Sequence, residues 1–241
     1  MFAVIFEVKP KNERKDDYLA LAKTLKPELE KIDGFIDNER FGSKRTEGLI
    51  LSLSTWRDEK AVIRWRTLGV HHEIQAKGRS EIFEDYHLRV GEITTDTHIP
   101  EGQKLQEQRL DETGVASSKA ATISELTAQN KMPASPNLSA DLKLPAIGIS
   151  GVLDQEIFES ITNPGKLLLL VSWKEAIAAS AWQPAVPAGH ELRHRQVRII
   201  RDYGMKDRRE APQFYPPVEG GGCPYDKKLT SGHANISRSK L

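Results

Sequence analysis

Cysteine is all but missing from this chain, with Cys223 alone among 241 residues. That rules out an intramolecular disulfide and any multi-cysteine zinc or iron–sulfur site, and it suits a reducing compartment. Charge of one sign is missing too. Lys and Arg number 35 against 34 Asp and Glu, a formal net charge of +1 with a pI near 7.8, so no overall field draws the chain to nucleic acid or an anionic membrane. No apolar run reaches the roughly 18–20 residues of a transmembrane helix; the longest, residues 167–171, is strand-sized. Met1-Phe2-Ala3-Val4-Ile5-Phe6-Glu7 carries no basic segment ahead of its apolar stretch, as a signal peptide would. The expectation is a cytoplasmic, soluble protein with neither a nucleic-acid nor a membrane partner. Its length suits one large domain or two smaller ones.

The few tryptophans decide between these. Trp56 and Trp173 lie 117 residues apart, and so do Trp65 and Trp182. The same offset sets Gly34 on Gly151, Ser43 on Ser160, Gly48 on Gly165, Leu51 on Leu168, Leu53 on Leu170 and Ala61 on Ala178. A fixed offset across glycines, apolar alternation and aromatics marks an internal repeat.

In the first copy, residues 2–8 read as a strand and 16–32 as an amphipathic helix stopped by Gly34. Residues 35–41 and 49–56 form a hairpin. Asp58 then caps a helix carrying Ala61, Val62, Trp65 and Leu68. A further helical stretch ends near Gly78, and residues 86–93 make a closing strand. The order β-α-β-β-α-β is the split βαβ arrangement of a ferredoxin-like fold. The second copy keeps its hairpin, its helix at 174–182 and a last strand at 197–202. Lys131-Met132-Pro133-Ala134-Ser135-Pro136 reads as loop where the first helix belongs, leaving at most a short helix near 139–142. The expected organisation is a first domain over 1–98, a polar linker over 99–118, a second, eroded domain over 119–205, and a Pro/Gly-rich extended or disordered tail over 206–241.

With the hairpin and the Trp-x8-Trp helix in place, the chain resembles the antibiotic-biosynthesis-monooxygenase superfamily, in particular its haem-degrading-monooxygenase-like branch. The stretches that carry the resemblance are Gly34-Phe35-Ile36, Ser54-Thr55-Trp56-Arg57-Asp58-Glu59, Trp65-Arg66-Thr67-Leu68, the loop from Phe158 through Asn163 to Lys166, and Arg201-Asp202-Tyr203-Gly204-Met205. The resemblance implies an α+β fold, in which single ferredoxin-like domains pair into a dimeric-type barrel. An isolated four-stranded sheet would leave one apolar face uncovered. Two fused copies are therefore expected to form an intramolecular pseudo-dimer, with a further homodimer open.

The resemblance also implies a site. In haem-degrading relatives the helix supplies a tryptophan and an iron-binding histidine, and the first strand supplies an asparagine. Trp65 matches the tryptophan, whereas the ligand position falls on Gln75, with His71 and His72 nearby, and the first strand offers Glu7. Other members oxidise quinol-like aromatics with O2 and no flavin or metal, which requires a base in an apolar pocket. In that reading His72 is the base, with His71 beside it, because His72 would share a face with Trp65 on a continuous helix. Trp65 and Phe41 wall the pocket, and Tyr86 or Arg89 orients the substrate. The expectation is a monooxygenase with no bound cofactor or metal, acting on a small aromatic ligand. Haem as ligand or substrate, and a non-catalytic binding barrel, stay open as alternatives. The tryptophans read equally well as core, and the histidines as helix-end surface residues.

Four further features are weaker. His190-Glu191-Leu192-Arg193-His194 fits the H-E-x-x-H zinc pattern, but prolines and Gly189 precede it and a strand follows, so no long helix carries it. Gly220-Gly221-Gly222 has no strand before it, and Cys223 sits in the tail without an activating neighbour. Arg195, Arg198 and Arg201 are read as sharing one strand face, either solvated or a clamp for a carboxylate.

Overall fold

The apolar alternation of the first copy builds four strands in the computed structural model, which describes residues 1–128 and 137–212. They are β1 (Phe2–Pro10), β2 (Phe35–Ser43), β3 (Ile50–Trp56) and β4 (Phe83–Asp96). Helix α1 (Lys15–Glu30) joins β1 to β2, and α2 (Glu59–Thr67) and α3 (Gly69–Lys77) join β3 to β4. The second copy supplies β5 (Ala120–Ala128), α4 (Leu138–Asp141), β6 (Val152–Ser160), β7 (Leu167–Trp173), α5 (Ala176–Ala181) and β8 (His190–Gly204).

These eight strands close into one barrel in the order β1-β3-β2-β6-β7-β5-β8-β4, every pairing antiparallel. Each copy contributes four adjacent strands in the same internal order, and the copies meet at β2·β6 and β4·β8. This is the expected intramolecular pseudo-dimer. Its interior is packed by Ile5, Phe41, Leu51, Phe158, Leu168 and Ile199, all buried, which point inward from both copies. Alternate residues point outward to the helices.

Local devices repeat with the sequence. Gly34 and Gly151 both adopt positive φ (+91° and +85°), and a Cβ on either would lie 2.7 Å from Ala61 Cβ or 2.9 Å from Ala178 Cβ. Only glycine suits both the turn and the close helix approach. Asp58 caps α2, accepting a hydrogen bond from Ala61 N at 2.8 Å. The short β2·β6 seam pairs only from Phe41↔Ser160 to Ser43↔Phe158, so side chains reinforce it in swapped pairs. Ser43 Oγ donates to Glu156 (2.9 Å) and Ser160 Oγ donates to Glu39 (2.6 Å).

The erosion of the second copy is visible. Among the described residues only the four-residue α4 stands where α1 would be, and Leu138 and Leu142 fill the space against Trp173 and Trp182. Trp182 Nε1 donates to the Leu142 carbonyl at 3.2 Å. Residues 99–118 form no helix or strand, yet they are pinned to the barrel, with Gln108 N and Arg109 N donating to Glu92 and Thr113 N to the Ile199 carbonyl. The expected loop 131–136 and most of the tail, including Gly220-Gly221-Gly222 and Cys223, lie outside the described residues.

Two expectations are corrected. The helix carrying Trp65 does not run on to His72, because Leu68 is extended (φ −62°, ψ 126°) and separates α2 from α3. Arg195, Arg198 and Arg201 do not share a face either. A strand has period two, so a spacing of three alternates sides: Arg195 is 1% exposed inside the barrel, while Arg198 lies on the outer side and pairs with Glu92 and Glu107. A register shift at Val90/Gly91 then sets Arg201 opposite outward-facing Val90, so Arg201 shares the outer side with Arg198. The H-E-x-x-H residues lie on β8 and not on a helix, where four residues span about 13 Å, too far for one metal ion.

Candidate active site

Inside the barrel the repeat produces two equivalent ion pairs. Phe2 and Ala120 face Trp56 and Trp173 at matching positions, which makes Glu7 the counterpart of Glu125 and Arg89 that of Arg195. Arg89 Nη2 meets Glu7 Oε2 at 2.5 Å and its Nη1 donates to Ser172 of the other copy at 2.8 Å. Arg195 likewise binds Glu125, and its Nη1 donates to Thr55 of the other copy at 3.1 Å. Each arginine thus crosses from its own copy to the next.

At the first-copy end of the barrel His87 joins this network, with Nε2 2.7 Å from Asp202 and Nδ1 3.6 Å from Glu7. Burial would lower the His87 pKa, but its bonds to Asp202 and Glu7 outweigh that and raise it to about 9. Burial would raise that of Glu7, but Arg89 and His87 bring it down to about 2. Both groups are therefore charged at neutral pH. With reference values near 6.5 and 4.5, His87 stabilises the fold fully below about pH 6.5 and loses that contribution as pH rises through about 9. Glu7 contributes above about pH 4.5 and loses its share as pH falls through about 2. An NMR titration should accordingly place the His87 ring near 9; a midpoint near 6.5 would show that the Asp202 contact is absent in solution.

On the outer face of the sheet, Leu88 links two aromatic clusters. One contains Trp65, Trp56, Val90 and Ile200, and the other contains Tyr18, Tyr86, Tyr203, Phe6, Phe83 and Met205. His71 stacks on Trp65 with ring centroids 4.0 Å apart, its Nδ1 2.9 Å from the Trp65 carbonyl. Burial, which the backbone contact only partly offsets, lowers its pKa to about 4, so His71 is neutral at physiological pH.

Tyr203 reaches this face from β8 of the second copy. Burial and the neighbouring Tyr86 raise its pKa, while the cationic Arg66, Arg208 and Arg201 pull the other way. Arg208 Nη1 donates to the Tyr86 hydroxyl and its guanidinium lies 5.9 Å from the Tyr203 ring. Arg66 Nε is buried without a hydrogen-bond partner. Among the described residues neither Arg66 nor Arg208 forms a carboxylate ion pair, whereas the inward-facing arginines do.

The residues singled out from the sequence thus separate. Trp65, His71 and Tyr86 lie on the outer face. Phe41 is fully buried in the interior, and Arg89 is locked to Glu7 there. Phe41 and Trp65 do not wall one pocket, because Phe41 faces the barrel interior while Trp65, on α2, packs against the outer face of the sheet. His72 is exposed on α3, and it is His71 that meets Trp65. Tyr203 and Arg208 were missed as site residues. The Arg201-to-Met205 stretch stood out in the sequence, but its partner Tyr86 is more than a hundred residues away and nothing local reveals the pairing.

Among the described residues no helix is long and apolar enough to cross a membrane, and no metal-binding cluster of His, Cys, Asp and Glu is present. Residues 1–77 match the family described as Antibiotic biosynthesis monooxygenase. A protein of Pyricularia oryzae named Jasmonate monooxygenase ABM is 43% identical over 221 residues, covering 90% of this chain and 100% of that protein. A crystal structure of an aldoxime dehydratase in complex with butyraldoxime superposes with a TM-score of 0.53 at 11% identity, covering 83% of this chain and 79% of that one, a likeness of fold alone. With a relative matched along its whole length on this duplicated barrel, the chain belongs to the antibiotic biosynthesis monooxygenase family.

Proposed function

We propose that this protein is a monooxygenase of a small, jasmonate-like carboxylate, bound on the outer face of the first copy. The carrying observation is the set of cations around Tyr86 and Tyr203, with Arg66 and Arg208 lacking a carboxylate partner among the described residues. Arg66 and Arg208 are half-buried, and a half-buried arginine without a counterion gains from an anionic ligand. Trp65, Leu88 and Tyr86 offer the apolar body of such a ligand a surface, and Arg208 offers its carboxylate a charge-assisted bond. The 43% identical relative carries jasmonate in its name, which supports the same ligand class.

One oxygen atom of O2 enters the substrate and the other leaves as water. A quinol-like substrate, the class expected from the sequence, supplies all the electrons itself, and that route works without flavin or metal. A C–H hydroxylation of jasmonate draws two further electrons from an added donor such as a reduced nicotinamide. Haem is not part of this proposal. His71, stacked flat on Trp65, and Glu7, which points into the barrel on the other side of the sheet, do not meet.

The test measures O2 uptake and product with jasmonate, its methyl ester and a quinol panel, each with and without a nicotinamide donor. The free acid should be preferred over the ester by about tenfold or more, the worth of one charge-assisted hydrogen bond. Arg208→Met should erase that preference, chiefly through KM. Absence of oxygenation in every arm, or equal turnover of acid and ester, would reject the proposal.

A further inference from the structure

A cavity, separate from the outer-face site, opens inside the barrel near the β2·β6 seam. Its volume is about 200 Å³, and it is lined from β2, β3, β5, β8 and the β6–β7 loop. Its charges are balanced, with Asp37, Glu39 and Glu125 facing Lys166, Arg193 and Arg195. We propose that it binds a small zwitterion bearing an ammonium and a carboxylate on neighbouring atoms, of the α-amino acid type.

The charge pattern selects this ligand. Lys166 Nζ sits between Glu39 at 2.6 Å and Glu125 at 2.5 Å, and Arg195 is bound to Glu125 and Thr55. A lone anion would have to draw a cation away from its carboxylate, and a lone cation would do the reverse, leaving a buried charge uncompensated. A zwitterion brings both signs and leaves the balance unchanged.

Unused bonding capacity is present on both sides. Arg195 is 1% exposed, lines the cavity, and its Nε has no hydrogen-bond partner. Arg193 is held by Asp96 through Nε at 3.1 Å and Nη2 at 2.8 Å, while its Nη1 stands 3.6 Å from Asp37 Oδ2, beyond hydrogen-bond length. That gap between the Nη1 of Arg193 and the half-exposed carboxylate of Asp37 is where a ligand carboxylate and ammonium would enter. Phe41 and Leu53, both buried, form an apolar floor for its side chain. The corresponding positions around Glu7 differ, since His87 replaces Arg193 and Leu49 replaces Lys166, so only the second-copy end carries this set of cations.

Calorimetric titration and thermal shift with L-phenylalanine and L-leucine test this, against phenethylamine, 3-phenylpropionate and glucose. The amino acids should bind saturably and raise Tm, with the amine and the acid at least about tenfold weaker. Asp37→Asn and Arg193→Met should each weaken amino-acid binding by about tenfold or more, as expected for a lost charged hydrogen bond, with their ligand-free Tm reporting the fold. The proposal is overturned if neither amino acid saturates by about tens of millimolar, if amine, acid or glucose binds as well, or if both variants bind like the parent. Because the assay reads binding alone, its outcome does not depend on whether jasmonate is a substrate.

Discussion

Replacing Glu125 by alanine is expected to destabilise the protein by about 3–5 kcal/mol, the range found when one partner of a buried ion pair is removed. Arg195 would then be 1% exposed with Thr55 as its one remaining side-chain partner among the described residues. Arg195→Ala should cost less, because Glu125 keeps Lys166 at 2.5 Å. The order of the two losses is therefore the sharp part of the expectation. The double replacement Glu125→Leu with Arg195→Met should recover most of the loss, since apolar groups of similar volume carry no desolvation penalty. Urea unfolding of the three variants checks this. A larger loss for Arg195→Ala, or a double variant no better than Glu125→Ala, would show that the pair does not act as described.

Phe158→Ala should cost about 3–5 kcal/mol as well, through a cavity and not a charge. Phe158 and its counterpart Phe41 are both 0% exposed and flank the three-residue β2·β6 ladder. A closed barrel has little freedom to collapse into the vacated space, which places the cost toward the upper end. Phe158→Leu retains most of the volume and should cost under about 1.5 kcal/mol. Denaturant midpoints at unchanged m-value are the measurement. A loss below about 1 kcal/mol for alanine would mean that neighbouring side chains refill the site.

The fold was legible in the sequence because its determinants recur at one offset. Gly34 and Gly151, Trp56 and Trp173, and Ser43 and Ser160 each play the same part twice, so each pair confirms its own alignment. The erosion of the second copy was legible from its prolines. The site was harder to read. The break at Leu68 carries no proline and precedes a glycine that resembles an ordinary helical position, so periodicity ran straight through it. Arg195 of β8 was wrongly grouped with Arg198, because a spacing of three suits a helix and not a strand. Tyr203, Arg208 and the Glu125–Lys166–Glu39 network owe their positions to contacts between copies, which no local pattern encodes.

Closing the barrel within one chain has a consequence beyond packing. Two separate ferredoxin-like subunits must find one another, so their assembly weakens on dilution. Here the second half is tethered at a fixed effective concentration, and residues 99–118 are held along the surface by Glu92 and the Ile199 carbonyl. Joining also frees the halves to differ. A change in a homodimer appears twice, at both ends of the shared ring. In this chain one end was able to keep Tyr86 and Tyr203 facing three arginines while the other filled its helix-side space with Leu138 and Leu142, a division of labour closed to a symmetric pair.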